Sequence, residues 1–140
     1  MEMAQAVITN IGKKKLCKAH AGDIELPPIT KMAWGDGGLE ESGAPKETTG
    51  QETALYNQLL EKNVESHFYI GEGESTCRYV GRIEKSELVG KNISEIGLVD
   101  ADGDLVAYKT FLAKGKDEDI PMTFNMDVSF LGGGRRWQIV

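Results

Sequence analysis

Three aspartates, Asp100, Asp102 and Asp104, alternate with other residues around a glycine in the stretch "LVDADGDLVA". Carboxylates are ligands that calcium prefers, and a helix-flanked calcium loop places acids at positions one, three and five, glycine at six and glutamate at twelve. Here Gly103 falls at position four and Phe111 at position twelve. The sequence therefore predicts no metal site. It predicts a structural hairpin turn of Asp100, Asp102 and Gly103, in which the glycine takes a positive φ.

A second glycine-rich stretch, "WGDGG", begins at Trp34 and ends at Gly38. Phosphate-binding loops of this kind open onto a helix whose first amides hold the phosphate, whereas a polar loop follows here. We therefore predict no phosphate site. The alternative to a purely structural protein is a small binding module that takes a metal or a carbohydrate, either at residues 34–38 or at the aspartate turn, residues 100–104.

The residues that catalysis requires are not grouped in the sequence. His20 and His67 lie far apart, and neither has a second metal ligand at a useful spacing. Neither Cys17 nor Cys77 has the strained turn and the neighbouring base that an activated nucleophile needs. We expect the protein not to be an enzyme and to use no cofactor.

The charge balance argues against nucleic acid and membranes as partners. With 16 lysines and arginines against 22 aspartates and glutamates, the formal charge is -6, and an acidic surface is repelled by nucleic acid and by anionic lipid. The basic run "KKK" at residues 13–15 is typical of the solvated face of a surface helix. The sequence shows neither a membrane-spanning apolar segment nor the pattern of a signal peptide, so we expect a protein made in the cytoplasm.

The length of 140 residues suits a single domain, residues 1–140. Residues 39–52 are rich in Gly, Glu, Ser, Pro, Lys and Thr, and this composition predicts a long flexible loop. Residues 132–140 begin with glycines and predict either a loose C-terminal tail or a last strand.

Helical patterns come first in the chain and strand patterns follow. Thr9 can cap one helix that ends near Gly22, and the apolar residues of "TALYNQLLEKNV" recur at helical spacing in a second helix that begins at Thr53. Period-two alternation predicts a strand that stops at Gly35, a hairpin from His67 on, two ribbons around the aspartate turn, and a strand at residues 122–130. The order predicts an α+β fold, a mostly antiparallel sheet with both short helices packed on one face.

Large side chains in places that a core does not require are candidates for contacts with a partner. Trp34 ends its strand, Leu39 is the large apolar residue of the polar loop, and Trp137 lies in the tail. Asp36, between the first two, is the fourth candidate interface residue. Trp34 can instead lie at the edge of the core.

Several segments, taken in order, resemble one family. "ITNIGKKKLCKAHAG" is followed by "ITKMAWGDGG", by "ETALYNQLLEK" and by "EKSELVGKNISEIGLVDADGDLVAYKTF". This order resembles the N-terminal domain of bacteriophage tail-collar fibre proteins, which begins with an "LTxxG" helix and continues with "GDG", "TALxNE" and "IxEIGLFDxDGxLIA". The resemblance extends from residue 8 to residue 130, and its most specific segment is residues 93–107.

The resemblance implies a structural role in a phage or prophage tail. In that family the domain usually leads a longer fibre and attaches it to the baseplate, often as a trimer. We therefore expect a short stand-alone version that joins tail fibre to baseplate by protein–protein assembly. The expected partners are other tail or baseplate proteins and further copies of the chain. The expected location is the virion, after synthesis in the bacterial cytoplasm.

Overall fold

A computed structural model describes residues 6–130 of the chain. Within that range there are one α-helix and eight strands. The helix is α1, Asn10–His20. The strands are β1 Val7–Ile8, β2 Ile29–Gly35, β3 Gln58–Asn63, β4 Ser66–Ile70, β5 Thr76–Ile83, β6 Asn92–Asp100, β7 Leu105–Gly115 and β8 Met122–Ser129.

The strands form two antiparallel sheets. The larger sheet has five strands in the order β1-β7-β6-β2-β3, and the smaller has three in the order β4-β5-β8. The chain passes from the larger sheet to the smaller one between β3 and β4, which are both edge strands. The short connection between β3 and β4 therefore links an edge of the larger sheet to an edge of the smaller one.

The main core lies between the two sheets. Trp34 of β2 is fully buried, and its ring centroid lies 6.0 Å from that of Phe124 of β8 in an edge-on arrangement. Phe111 of β7 lies equally close to Phe124, at 6.0 Å. Gly81 of β5 faces the Trp34 ring, where an added Cβ would come within 2.9 Å of it. Side chains from both inner faces thus meet, as in a β-sandwich.

A second, smaller cluster lies on the other face of the five-stranded sheet. Its members are buried residues of β2, β6 and β7 together with one residue from the segment before β3: Ala33, Val99, Leu105, Tyr108 and Leu55. Because side chains alternate along a strand, Ala33 points away from the face that carries Met32 and Trp34. The segment that contains Leu55 therefore covers the outer face of the larger sheet.

Helix α1 begins and ends where the sequence predicts. The Thr9 side chain accepts a hydrogen bond from the Gly12 backbone N–H at 3.2 Å, which is the geometry of an N-cap. The Thr9 hydroxyl also donates to the Leu105 carbonyl at 2.6 Å and so fixes the helix start to β7. Gly22 follows the helix with φ +84°, a conformation that glycine adopts without strain.

The predicted second helix is wrong, and the fold is predominantly β rather than α+β. Residues Gln58–Asn63 form β3, which pairs with β2 so that Leu60 lies opposite Trp34. Leu, Gln, Glu and Lys favour a helix locally, but pairing with β2 gives the backbone groups on one side of β3 partners, and the preceding segment brings Leu55 to the second cluster. The prediction of mostly antiparallel strands is confirmed.

The other predicted strands are present. The strand that was expected to stop at Gly35 is β2, the hairpin after residue 66 is β4 and β5, and the alternating stretch near the end is β8. We expected these strands in one sheet, but they are divided between the larger sheet and the smaller sheet. Among the helices of residues 6–130, none has the length and apolar character to cross a bilayer.

Candidate assembly surface around Glu95

Glu95 is a fully buried carboxylate on β6 that accepts four hydrogen bonds. Oε2 accepts from the backbone N–H groups of Gly37 at 2.9 Å and Asn57 at 2.8 Å. Oε1 accepts from the backbone N–H of Tyr56 at 2.8 Å and from the Tyr108 hydroxyl at 2.7 Å. All four partners are donors, which is the complement that a carboxylate with two acceptor oxygens requires.

This carboxylate joins three of the four sequence segments on which the family resemblance rests. Gly37 belongs to "WGDGG", Tyr56 and Asn57 belong to "TALYN", and Glu95 belongs to "EIGL". The segments are far apart in sequence, and the hydrogen bonds to Glu95 hold them together over the outer face of the larger sheet. The motifs therefore define one structural centre, in which Glu95 positions two backbone segments.

Glycines let the chain approach this centre closely. A Cβ on Gly35 would come within 2.5 Å of Glu95 Oε2, and one on Gly37 within 2.8 Å of the Asn57 nitrogen. A Cβ on Gly38 would overlap the Ser94 carbonyl, and the Gly38 N–H donates to the Ser94 hydroxyl at 3.0 Å. The glycines of the motif are needed for space, and no phosphate has to be invoked to explain them.

Burial raises the pKa of Tyr108 well above its ordinary value, and the hydrogen bond to Glu95 raises it further. Both effects favour the neutral phenol, which is the form that can donate to the carboxylate. Tyr108 therefore acts as a fixed donor over the whole physiological pH range.

Above Glu95, two of these segments and Lys46 of the loop at residues 39–52 form a partly exposed surface, here called the Tyr56 surface, of Asp36, Lys46, Tyr56 and Asn57. The Tyr56 side chain is 54% exposed, and the Lys46 ammonium lies 3.8 Å from its ring centroid, in a cation–π contact. The Asn57 amide donates to Asp36 Oδ1 at 2.6 Å. This surface combines an exposed aromatic ring with charged neighbours on a fixed backbone, a composition found in protein–protein contacts.

Residues 39–52 lack a helix or a long strand but have polar anchors. Leu39 and Pro45 form an isolated bridge, and the Lys46 carbonyl accepts from the Thr110 hydroxyl at 2.6 Å. Glu52 is buried and accepts from the backbone N–H groups of Thr49 at 3.0 Å and Gly50 at 2.8 Å. Burial alone would raise the pKa of Glu52, but these donors outweigh it and hold the pKa below its ordinary value. The flexibility of the loop stays a prediction.

The aspartate triad lies at a tight turn between β6 and β7. The Gly103 N–H donates to the Asp100 carbonyl at 2.9 Å, and Gly103 has φ +88°. Asp100 Oδ1 accepts from the N–H groups of Asp102 at 3.0 Å and Asp104 at 3.1 Å, so the first aspartate braces the turn.

The three carboxylates, whose oxygens lie within 4.8 Å of one another, surround an ammonium group of the same chain. Lys15 Nζ lies 2.6 Å from Asp100, 3.1 Å from Asp102 and 2.7 Å from Asp104. The Lys15 side chain is 11% exposed and that of Asp100 is 2% exposed. The side chain of α1 thus occupies the position that a metal ion would need, which disfavours the alternative of a metal-binding module.

Burial by itself lowers the pKa of Lys15, but the hydrogen bonds to Asp100, Asp104 and Asp102 outweigh this, and the pKa is raised above its ordinary value. Lys15 therefore stays charged at physiological pH. The expectation that all of residues 13–15 form a solvated face is wrong at Lys15, because this lysine points at the turn while Lys13 and Lys14 are exposed.

Trp34, our first candidate interface residue, lies in the core. It has no exposed surface, so its side chain is not available to a partner or to a carbohydrate. The cause is the second sheet, which covers this face of β2 through Gly81 and Phe124. The expectation of a surface role for Trp34 is corrected to a core role.

The remaining candidates have different environments. Asp36 is half-buried at the Tyr56 surface, and Leu39 is half-buried at its bridge with Pro45. Trp137 and the predicted tail or strand at residues 132–140 lie outside the described residues.

Sequence reasoning missed Glu95 and Lys15. Glu95 appeared as one acid within an apolar run, and the available signal was that a strand buried on both faces rarely keeps a carboxylate without several donors. Lys15 follows two exposed lysines in the sequence, and no local sequence pattern distinguishes it from them.

No curated protein and no solved structure matches the chain. The family model described as "Phage tail-collar fibre protein, N-terminal" matches residues 1–129. This match covers nearly the whole chain and includes the motifs that meet at Glu95. The chain therefore belongs to the phage tail-collar fibre protein family and corresponds to its N-terminal region.

Proposed function

We propose that the protein is a structural component of a phage or prophage tail that joins tail fibre to baseplate through the Tyr56 surface. Membership of the tail-collar fibre family supports a role in the tail. The observation that carries the finer proposal is the convergence of the three motifs at Glu95. These motifs hold the backbone at Tyr56 and leave this residue 54% exposed.

The chemistry of this surface suits assembly rather than catalysis. Glu95 is enclosed by four donors, so it has no free lone pair directed at a substrate. Tyr56 offers a large ring that loses little side-chain entropy on binding, and Lys46 and Asp36 offer charges of both signs beside it. A partner with an apolar contact for the ring and charges around it fits this surface.

Purified particles test the proposal. Particles from the phage or induced prophage that encodes the chain are expected to contain it, as detected by mass spectrometry. Deletion of its gene is expected to give particles that retain the tail tube but lack attached fibres in negative-stain micrographs. Absence of the chain from purified particles, or normal fibres after deletion, would contradict the proposal.

A further inference from the structure

Strand β4 is an edge strand whose side chains are open to solvent on both faces. It pairs with β5 on one side, and no strand of residues 6–130 pairs with its other side. Phe68 is 46% exposed on one face of the strand and Tyr69 is 61% exposed on the other. Backbone groups on the free side can therefore accept an added strand whose side chains would contact both aromatic rings.

The sequence of β4 has no feature that protects a sheet edge, apart from its short length. Its residues, "SHFYI", include no lysine, arginine, aspartate, glutamate or proline. By contrast, the edge strand β3 carries Glu61 and Lys62, each of which lies in an ion pair. Charged residues on an edge oppose the approach of another chain, so β3 is protected and β4 is not.

The other edge of the smaller sheet is β8, and it offers less apolar surface. Met126 and Val128 of β8 are buried between the sheets, and Asp127 forms a two-point ion pair with Arg78. The exposed side chains of β8 include Thr123 and Asn125, which are polar. Among these edges, β4 combines a free backbone with exposed aromatic rings.

Acidic residues lie at both ends of β4. Glu65 precedes the strand, and Glu72 and Glu74 follow it in a 3-10 turn; all three are exposed. Residues 65–75 contain no lysine or arginine. A second copy of β4 in antiparallel pairing would bring these acids together and be repelled, whereas a strand with basic ends would be attracted.

We propose that β4 is a strand-addition site for an extended segment of another tail protein, a segment with apolar or aromatic residues in its middle and lysines or arginines at its ends. The inference rests on the proposed function for the identity of the partner as a tail protein. The inference goes beyond the proposed function because it names a second surface and the chemistry of the segment that binds there.

Nuclear magnetic resonance titration of the full chain tests the site. The probe is a synthetic peptide with the core Thr-Val-Tyr-Val-Thr flanked by lysines, and a matched peptide carries glutamates in place of those lysines. A third peptide has proline in place of its central tyrosine, which removes an N–H and the extended pairing. The lysine-flanked peptide is expected to shift the amide signals of Ser66–Ile70, while the other two leave them in place.

A charge-reversal variant tests the acidic ends. Glu72→Lys combined with Glu74→Lys is expected to weaken binding of the lysine-flanked peptide about tenfold, since two surface ion pairs are lost. The control, Glu40→Lys with Glu41→Lys, makes the same charge change in exposed loop residues and is expected to leave the affinity unchanged. Phe68→Lys, which places a charge on the edge itself, is expected to abolish the shifts.

Three results would overturn the inference. They are shifts that fall on β3 or β8 instead of β4, equal binding of the lysine- and glutamate-flanked peptides, and no shift at millimolar peptide. Peptide binding to β4 by a chain that is absent from particles would leave the site standing and refute the proposed function. If the chain is present in particles but no peptide binds at β4, the site is refuted and the proposed function stands. The two failures are therefore distinguishable.

Discussion

Glu95 and Lys15 are among the buried charged residues of this protein, and each is surrounded by groups of complementary character. Glu95 has four donors and Lys15 has three carboxylates. Burying a charge is costly unless every remaining hydrogen-bonding position is filled. The two residues therefore fix geometry: Glu95 fixes the loops under Tyr56, and Lys15 fixes α1 to the turn between β6 and β7.

Replacing Glu95 with glutamine should destabilise the protein by about 2–3 kcal/mol, because the amide N–H₂ must face donors whichever way it turns. Urea unfolding of Glu95→Gln measures this. Tyr108→Phe removes one donor and should cost about 1 kcal/mol. Glu47→Gln, at an exposed loop residue, is the control. Equal stabilities of Glu95→Gln and Glu47→Gln would contradict the role of Glu95.

Lys15→Met should cost about 3 kcal/mol, because it leaves Asp100 buried without its cation. The raised pKa of Lys15 also gives a pH dependence. The folded state keeps its proton longer than the unfolded state, whose lysine has the ordinary pKa of 10.5, so stability falls as pH rises above that value. The raised pKa of Tyr108 acts in the same direction above its ordinary value of 10.0.

Urea unfolding of both proteins between about pH 8 and pH 11 measures this dependence. Lys15→Met should show a shallower alkaline loss than the native protein, since the lysine contribution is removed and the contributions of Tyr108 and of Tyr79, whose pKa is raised by burial, remain. Lys14→Met, on the exposed face of α1, should behave like the native protein. Identical slopes for Lys15→Met and the native protein would contradict the ion-pair assignment.

At the scale of elements, the sequence predicted those features whose cause is local. The cap at Thr9, the end of β2 at Gly35, the hairpin of β4 and β5 and the alternation of β8 all follow from residues within a few positions of each other. The second helix is absent because residues 58–63 pair with β2, a distant part of the chain, and the preceding amides of Tyr56 and Asn57 donate to Glu95. No pattern within residues 53–64 reveals a carboxylate that lies on β6.

In the candidate site, too, features with local causes could be predicted from the sequence and features that depend on long-range contacts could not. From "WGDGG" the sequence predicted only that no phosphate binds there; the close approach of these glycines to the Ser94–Glu95 segment is known only from the fold. The division of the strands into two sheets also depends on long-range pairing. The smaller sheet covers Trp34 and buries it. Long-range contacts thus decide which motif residues face solvent.

Gly38→Ala should cost about 2–3 kcal/mol, because the new Cβ would overlap the Ser94 carbonyl, which β6 holds in place. Gly115→Ala is the matched control at the end of β7, where an added Cβ would lie 3.5 Å from the side-chain oxygen of Asn92, an ordinary contact distance. Thermal unfolding compares the two. A Gly38→Ala protein as stable as Gly115→Ala would show that the loop can move away from β6.

The two-sheet fold presents the Tyr56 surface on the outer face of one sheet and the free edge of the other sheet at β4. Tyr56 and β4 are thus available as separate contacts on one small protein. A component that joins two parts of a tail requires at least two such contacts, which agrees with the proposed role.

Tyr56→Ala should reduce incorporation of the chain into particles about tenfold, the effect of losing one central aromatic contact, while changing its thermal stability little. Ile120→Ala is the matched control, since Ile120 is similarly exposed, at 58%, in the loop before β8. Quantitative mass spectrometry of purified particles measures incorporation. Equal incorporation of the two variants would remove Tyr56 from the proposed contact.

The position of Lys15 among the three aspartates has a consequence for the solution conditions that the protein tolerates. Many extracellular modules that carry acidic loops depend on dissolved calcium and loosen when a chelator removes it. In this chain the positive charge among the aspartates is the side chain of Lys15. The attachment of α1 to the turn between β6 and β7 therefore does not depend on the calcium concentration of the solution. Thermal unfolding in EDTA and in millimolar calcium should therefore give the same midpoint.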